Sequence, residues 1–337
     1  NKKSGWKDTL SIWIRGNFLI PDPRRFWIKP SVNYLKKYLQ QNPVDAVITT
    51  GPPHSMHMIG LGLKKELPAL KWVADFRDPW TNIDFYNDLY LTSFADKIHR
   101  KLEKQVILNA DCVLVVGGEM VREYAEMSPK RIKLITNGFD REDMPGEKEK
   151  PDKGFTLSHI GTLNAARNPK TLWKVLGEIC SQNESFRSDL KIQLIGKTDF
   201  SVLEEIDKNG LSSNLEKTEY LSHNEAIAKQ QTSQILLLLI NNSANAKGIL
   251  TGKFFEYLAA GRPILAVGPA DGEVANVLEE TQAGVIVGFE DEEKTSKVVL
   301  EYYSQYKNGE LSVSTKSIEK FSRRELTKQL SEVLNQL

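Results

Sequence analysis

Cysteine is almost missing from this chain. Cys112 and Cys180 are the only two in 337 residues, one in a strand-like run and one in a helix-like run. Neither has a metal-ligand neighbour, so a disulfide framework has no basis and a reduced cytoplasmic protein is expected. An excess of one charge sign is missing too: 45 Lys and Arg face 44 Asp and Glu. That balance argues against a nucleic-acid partner, which calls for a basic surplus. The longest apolar run, Ile235–Ile240, falls far below the ~20 residues of a spanning helix, and no signal peptide is visible. No Gly-x-Gly-x-x-Gly opens a helix after a strand, which weakens a dehydrogenase reading, and no Gly-x-x-x-x-Gly-Lys-Ser/Thr is present. His54 and His57 have no evident third ligand, so zinc is not expected. His99 and His223 read as surface or capping residues. No Asp-x-Asp follows a strand, so no metal site is expected anywhere.

What remains is a chain too long for one hydrophobic core. Its 40% apolar and 26% charged residues are ordinary for a soluble globular protein. Residues 1–43 are helix-like and rich in Trp and basic residues. Strands then read at Asp45–Gly51, Lys71–Phe76, Asp111–Val116 and Arg131–Thr136. Helices read over 57–67 and 92–109, the second with Asp96, Arg100, Glu103 and Lys104 on its polar side. Residues 141–153 hold Pro145, Gly146 and Pro151, which is linker chemistry. The alternation restarts with strands at Phe155–Ile160, Lys191–Ile195, Ile235–Ile240, Pro263–Val267 and Gly284–Val287. Helices fall near 169–182, 222–231, 252–260, 272–281 and 291–306. Such alternation predicts an α/β fold with two Rossmann-like, doubly wound parallel sheets, over 1–146 and 151–316. An amphipathic helix over 317–337 is expected to pack back on the first domain. The chain starts at Asn1 with no strand in its first stretch, which suggests that an N-terminal part of the natural protein precedes it.

Open parallel sheets bind ligands beyond the carboxyl ends of their strands. The strongest constellation is Gly248-Ile-Leu-Thr-Gly-Lys-Phe-Phe-Glu-Tyr-Leu-Ala-Ala-Gly-Arg-Pro263. Thr251 and Gly252 open a helix there, and Gly261 with Pro263 closes it. Free N–H groups at such an opening bind phosphate, and Lys253 adds a charge at the same end. Glu256, one turn later, is suited to two vicinal ribose hydroxyls. The structural alternative is a capped surface helix with a Lys253–Glu256 pair.

This segment resembles the donor-binding helix of family 4 retaining glycosyltransferases, whose pattern is a glutamate, seven residues, a second glutamate, then Leu-Ala-x-Gly-x-Pro. Glu256 matches the second glutamate, which the resemblance assigns to the ribose. The first falls on Gly248, a departure. His159-Ile-Gly-Thr-Leu-Asn-Ala-Ala-Arg-Asn-Pro-Lys170 is similar to the family's diphosphate loop, with Gly161 for close backbone approach and Arg167 as the cation. Thr162 stands where the family has an earlier Arg. Gln193-Leu-Ile-Gly-Lys197 resembles the nucleotide-lining turn, with Lys197 a phosphate or base contact. Asp271-Gly-Glu-Val274 resembles the loop closing the sugar pocket, and Ile135–Asp140 resembles an Asn-Gly-x-Asp turn. In the first half, Thr50-Gly-Pro-Pro-His-Ser55 and Ala74-Asp-Phe-Arg-Asp-Pro-Trp80 resemble a subfamily making bacterial surface polysaccharides. This implies Arg77 and Asp78 as catalytic candidates, with His54 and Asp75 on the acceptor or sugar side. The structural alternative is an Asp78–Arg77 loop network. The family's N-terminal glycine-rich loop has no match in residues 1–43.

The resemblance implies a GT-B architecture, two Rossmann-like domains facing a cleft. It implies transfer of a sugar from a nucleoside diphosphate donor to a glycan or lipid-linked acceptor, with retention and without metal or cofactor. Trp6, Leu10, Trp13 and Ile14 share a helical face beside Lys2, Lys3, Lys7 and Arg15, and Arg24, Arg25, Phe26, Trp27 and Lys29 follow. Aromatic and basic residues together suit a membrane interface, so peripheral contact at the inner face of the membrane is a further expectation. Packing under the first domain is the alternative. Two rival functions are a nucleotide-sugar epimerase of the same architecture and a catalytically silent sugar-nucleotide-binding protein.

Overall fold

The computed structural model describes residues 6–143 and 150–337. Lys2 and Lys3, and Pro145 and Gly146 of the expected linker, lie outside the described residues. The chain divides into two compact units. Of the described residues, one comprises 6–136 together with 327–337, and the other comprises 137–143 and 150–326.

The first unit opens with helices α1 (Trp6–Phe18) and α2 (Ile28–Gln41), joined by a 3-10 turn at Pro23–Trp27. Asp22 caps that turn, its carboxylate accepting from the Arg24 N–H, and Pro23 sits where no donor is needed. Then come β1 (Ala46–Gly51), α3 (Ser55–Glu66), β2 (Lys71–Phe76), α4 (Ser93–Asn109), β3 (Cys112–Val115), α5 (Gly118–Ala125) and β4 (Ile132–Leu134). The four strands are parallel in the order β1-β2-β3-β4. Trp72, Ala74 and Phe76 of β2 pack with Val113, Val115, Val106 and Ile107 in one core. Two expectations for α4 are corrected. Glu103 is fully buried rather than on the polar side, and His99 is 3% exposed rather than on the surface. Buried polar groups are as a rule hydrogen-bonded, and both are, as described below. His223, by contrast, is exposed, with its Nε2 3.3 Å from the Asp143 carboxylate.

The second unit contains β5 (Phe155–Ile160), α6 (Lys170–Gln182), α7 (Glu184–Asp189), β6 (Leu190–Ile195), α8 (Phe200–Lys208) and β7 (Leu215–Thr218). It continues with α9 (His223–Thr232), β8 (Ile235–Leu239), α10 (Gly252–Ala260), β9 (Ile264–Val267), α11 (Glu273–Thr281), β10 (Gly284–Val287) and α12 (Glu292–Lys307). The sheet order is β10-β9-β8-β5-β6-β7, with every pairing parallel. β8 shows why its run is unbroken. Ile235, Leu237 and Leu239 enter one core with α6 and α12, while Leu236, Leu238 and Ile240 enter a second core with α10 and α11. Both faces are covered, so no position is left for a polar residue. Each such side chain contributes about 1.5–3 kcal/mol by leaving water. The C-terminal segment is a 3-10 turn at Ile318–Phe321 followed by α13 (Arg323–Asn335). Both cysteines are buried and free. Among the described residues no helix is long and apolar enough to cross a membrane.

Candidate functional site

In the second unit the chain order reverses between β5 and β8, and this switch point is where an open parallel sheet leaves a crevice for ligands. Beyond β5, Gly161 takes φ +123°, a conformation that side-chain-bearing residues rarely adopt. A Cβ there would lie 3.1 Å from Lys253 Nζ. Glycine thus lets the lysine end approach the backbone. Beyond β6, Gly196 takes φ +113°, and a Cβ on it would come within 2.8 Å of the Gly161 carbonyl oxygen. The two loops are therefore in backbone contact. Lys197 is exposed, and its carbonyl accepts from the Leu163 N–H at 2.9 Å.

Arg167 ends a 3-10 turn capped by Asn164. Its Nε donates to Asn241 Oδ1 at 2.7 Å, just past the end of β8. Its guanidinium also reaches the Thr162 carbonyl at 3.5 Å. Thr162, in place of the family's arginine, thereby supplies backbone support to the arginine that is present.

Helix α10 opens at the same end of the sheet. Thr251 is its extended N-cap, yet the side chain makes no capping bond, and its buried hydroxyl has no partner among the described residues. Nothing lies within 4 Å of where a Gly252 Cβ would be. The first turn therefore offers N–H groups and a hydroxyl to an incoming anion. Lys253 is half-buried, with Nζ 3.4 Å from His159 Nε2. Burial first, then repulsion from Arg167, lowers its pKa to about 8, while Glu256 opposes the shift. Glu256 Oε2 accepts from Gln230 Nε2 at 3.1 Å. Gly248 ends a 3-10 turn whose Lys247 binds Asp271 at 2.5 Å, placing the Asp271–Val274 loop against it.

In the first unit, Arg77 donates its backbone N–H to the Gly51 carbonyl at 2.9 Å, tying the ends of β1 and β2 together. Its guanidinium lies 3.7 Å from the Asp75 carboxylate. Burial raises the Asp75 pKa, and Arg77 and Thr50 act against the rise. Asp78 is also raised, by burial and then by Asp84, with Arg77 opposing. His54 stacks flat on Trp80 at 4.4 Å, and its Nδ1 is buried with no partner among the described residues. Burial and the neighbouring His99 lower its pKa to about 3, so it is neutral. Trp80 in turn donates to His99 Nδ1 at 3.1 Å. The loop carrying Trp80 is pinned by Glu103, which accepts from the Thr81 N–H, the Thr81 hydroxyl and the Tyr124 hydroxyl at 3.2, 2.6 and 3.1 Å. Asp22 pins the other wall through the Ser55 N–H at 2.7 Å and hydroxyl at 3.0 Å. Between these walls is a cavity of about 780 Å³, lined by His54, Trp80, Tyr86 and His99 with Arg15 and Arg24.

Gly161, Arg167, Thr251, Gly252 and Lys253 are thus brought to one switch point, with Glu256 one turn further on. Lys197 stays on the neighbouring loop. Sequence reasoning missed His159, Gln230 and Asn241 here, and Asp22, Trp80 and Glu103 in the first unit. Asn241 was discoverable, since it follows a strand at the binding end. Among the described residues, no group of three or more His, Cys, Asp and Glu could hold a metal ion.

Residues 7–143 match the model of Glycosyltransferase Family 4. No curated protein matches the chain. Among solved structures, it resembles sucrose-phosphate synthase from Thermosynechococcus elongatus, with TM-score 0.64, 14% identity, and coverage of 93% of this chain and 78% of that one. An α,α-trehalose-phosphate synthase (UDP-forming) from Burkholderia xenovorans, in complex with glucose-6-phosphate, gives 0.62 at 8% identity, covering 98% and 79%. WaaG, a glycosyltransferase involved in lipopolysaccharide biosynthesis, gives 0.57 at 14% identity, covering 90% and 81%. The resemblance read from the motifs holds, and the fold is the two-sheet, Rossmann-like fold of these glycosyltransferases.

Proposed function

We propose that the protein transfers a sugar from a nucleoside diphosphate donor to a glycan or lipid-linked acceptor in bacterial surface-polysaccharide synthesis, with retention at the anomeric carbon. The observation that carries this reading is the convergence of Gly161, Arg167, Lys253 and the open start of α10 at one switch point. Two cations and free N–H groups suit a diphosphate, and stabilising charge that grows on a leaving diphosphate accelerates its departure. These groups also take the part that a metal ion plays elsewhere, so activity without metal belongs to the proposal. A thermal-shift panel of nucleoside diphosphates in EDTA tests it: one base should raise the melting temperature. A flat panel would sink the donor reading. Gly248, at the first-glutamate position, favours silent binding as the second reading, which acceptor-dependent turnover separates.

On the acceptor side, the proposal assigns Arg77 and Asp78 to the transferred sugar and the cavity beside His54 and Trp80 to the acceptor. Arg77→Ala or Asp78→Ala should lower kcat by about 100-fold, the scale of one lost transition-state contact, with nucleoside diphosphate affinity unchanged. Equal losses in both, or unfolding, would show a structural role.

A lipid-linked acceptor is met at a membrane. Trp6, Leu10, Ile14, Phe18, Phe26 and Trp27 are all exposed in the first unit, beside Lys7, Arg15, Arg24, Arg25 and Lys29. Such a surface binds at the interface of anionic lipid. Anionic liposomes at low salt should co-sediment the protein, and Trp6→Ala with Trp27→Ala should release it. No co-sedimentation would remove the membrane from the proposal.

A further inference from the structure

His159 lies on β5 and is 0% exposed. Its Nδ1 is 3.0 Å from the Leu237 carbonyl on the neighbouring strand. A carbonyl only accepts, so Nδ1 carries the ring proton. The ring is neutral, its pKa lowered to about 3 by burial first, then by Lys253 and Arg167, with the Leu237 and Thr162 backbones opposing. Nε2 is therefore a lone pair, and Lys253 Nζ is the donor 3.4 Å away. Gly161 also lies against Nζ: a Cβ there would come within 3.1 Å of it. We infer that His159 is a positioning residue: its Nε2 lone pair holds the Lys253 ammonium against Gly161, aimed at the donor diphosphate.

This inference rests on the donor reading above for its ligand, but the coupling of His159 to Lys253 exists without one. Three charged or titratable groups act on Lys253: His159 from β5, Arg167 from the loop after it, and Glu256 from α10. Arg167 repels the ammonium and Glu256 attracts it. Of the three, His159 is the one within hydrogen-bond distance of Nζ, and the Leu237 carbonyl favours the tautomer that leaves its Nε2 a lone pair.

Two variants separate positioning from packing. His159→Asn keeps a donor for the Leu237 carbonyl but cannot reach Lys253. His159→Gln places an acceptor near the Nε2 position. The first measurement is lysine NMR titration of the ligand-free protein. His159→Asn should lower the Lys253 midpoint, since the ammonium loses its acceptor, and His159→Gln should restore it. The second is calorimetry with inorganic pyrophosphate, which needs no knowledge of the base. His159→Asn should weaken pyrophosphate about tenfold, and His159→Gln should bind within a few-fold of wild type. Wild-type midpoint and affinity in a folded His159→Asn protein would overturn the inference. If His159→Asn does not fold, a His159→Gln protein that folds with a lowered midpoint overturns it, and one with the wild-type midpoint supports it. If wild type itself ignores pyrophosphate and every nucleoside diphosphate, the donor reading fails, and the titration still decides the link from His159 to Lys253.

Discussion

Glu256→Ala should bind its nucleoside diphosphate at least tenfold more weakly than wild type, with its melting temperature nearly unchanged. The carboxylate is one turn into a helix whose first turn is open to phosphate, and a ribose lies about that far from its diphosphate. Gln230 donates to one of its oxygens at 3.1 Å, which orients the group and leaves acceptor capacity for two hydroxyls. Hydrogen bonds to a charged acceptor contribute about 1.5–3 kcal/mol each, so losing even one weakens binding roughly tenfold or more. A surface ion pair with Lys253 would be worth under about 1 kcal/mol and would alter stability instead. The magnitudes discriminate. Unchanged affinity in a folded variant would remove the ribose role.

The second large effect is on pH dependence. Lys253 has its pKa lowered to about 8 in the ligand-free protein, chiefly by burial and then by Arg167. Below that pH the ammonium is present and attracts a diphosphate. Above it the free protein holds a neutral amine, and binding must take up a proton. By linkage, affinity should therefore fall as pH rises from 8 to 10, by up to about tenfold per unit. Near pH 7 it should be level, until the terminal phosphate takes up its own proton at about pH 6. Lys253→Met should abolish this slope and bind about 10–100-fold more weakly at pH 7, the scale of one charged hydrogen bond. Calorimetry in two buffers of different ionisation enthalpy measures the proton uptake directly. A wild-type affinity that stays flat to pH 10 would show that Lys253 does not face the diphosphate.

Strand-and-helix alternation made most of the architecture legible, and the reasons are visible in particular elements. β8 read as a central strand because Ile235–Leu239 fills two cores, and the structure places it between β5 and β9. β7 did not read as a strand: Leu215–Thr218 is an edge segment with Glu216, Lys217 and Thr218 exposed, so no apolar alternation marks it. α5 and α8 span only 8 and 9 residues, too short for a strong period. The candidate site was legible where a strand end carries a motif, as at Gly161 and Thr251–Glu256. It was illegible where a residue acts by tertiary contact. Glu103 looked like one more charge on an amphipathic helix, yet three donors converge on it. Gln230 sits in a helix of low amphipathicity, and only the packing of α9 beside α10 brings it to Glu256. His159 lay inside a recognised motif with no role assigned to it, because its contact is with a carbonyl 78 residues away.

The central claim is that this site departs a sugar from a nucleoside diphosphate for delivery to an acceptor. Its most direct test is release of the nucleoside diphosphate from a panel of nucleotide sugars, in EDTA, with and without bacterial membrane extract. One donor should be consumed and the extract should greatly raise the rate, with a labelled sugar appearing in the acceptor fraction. Tight binding of a nucleotide sugar with no release in any extract would contradict transfer and leave a silent binder.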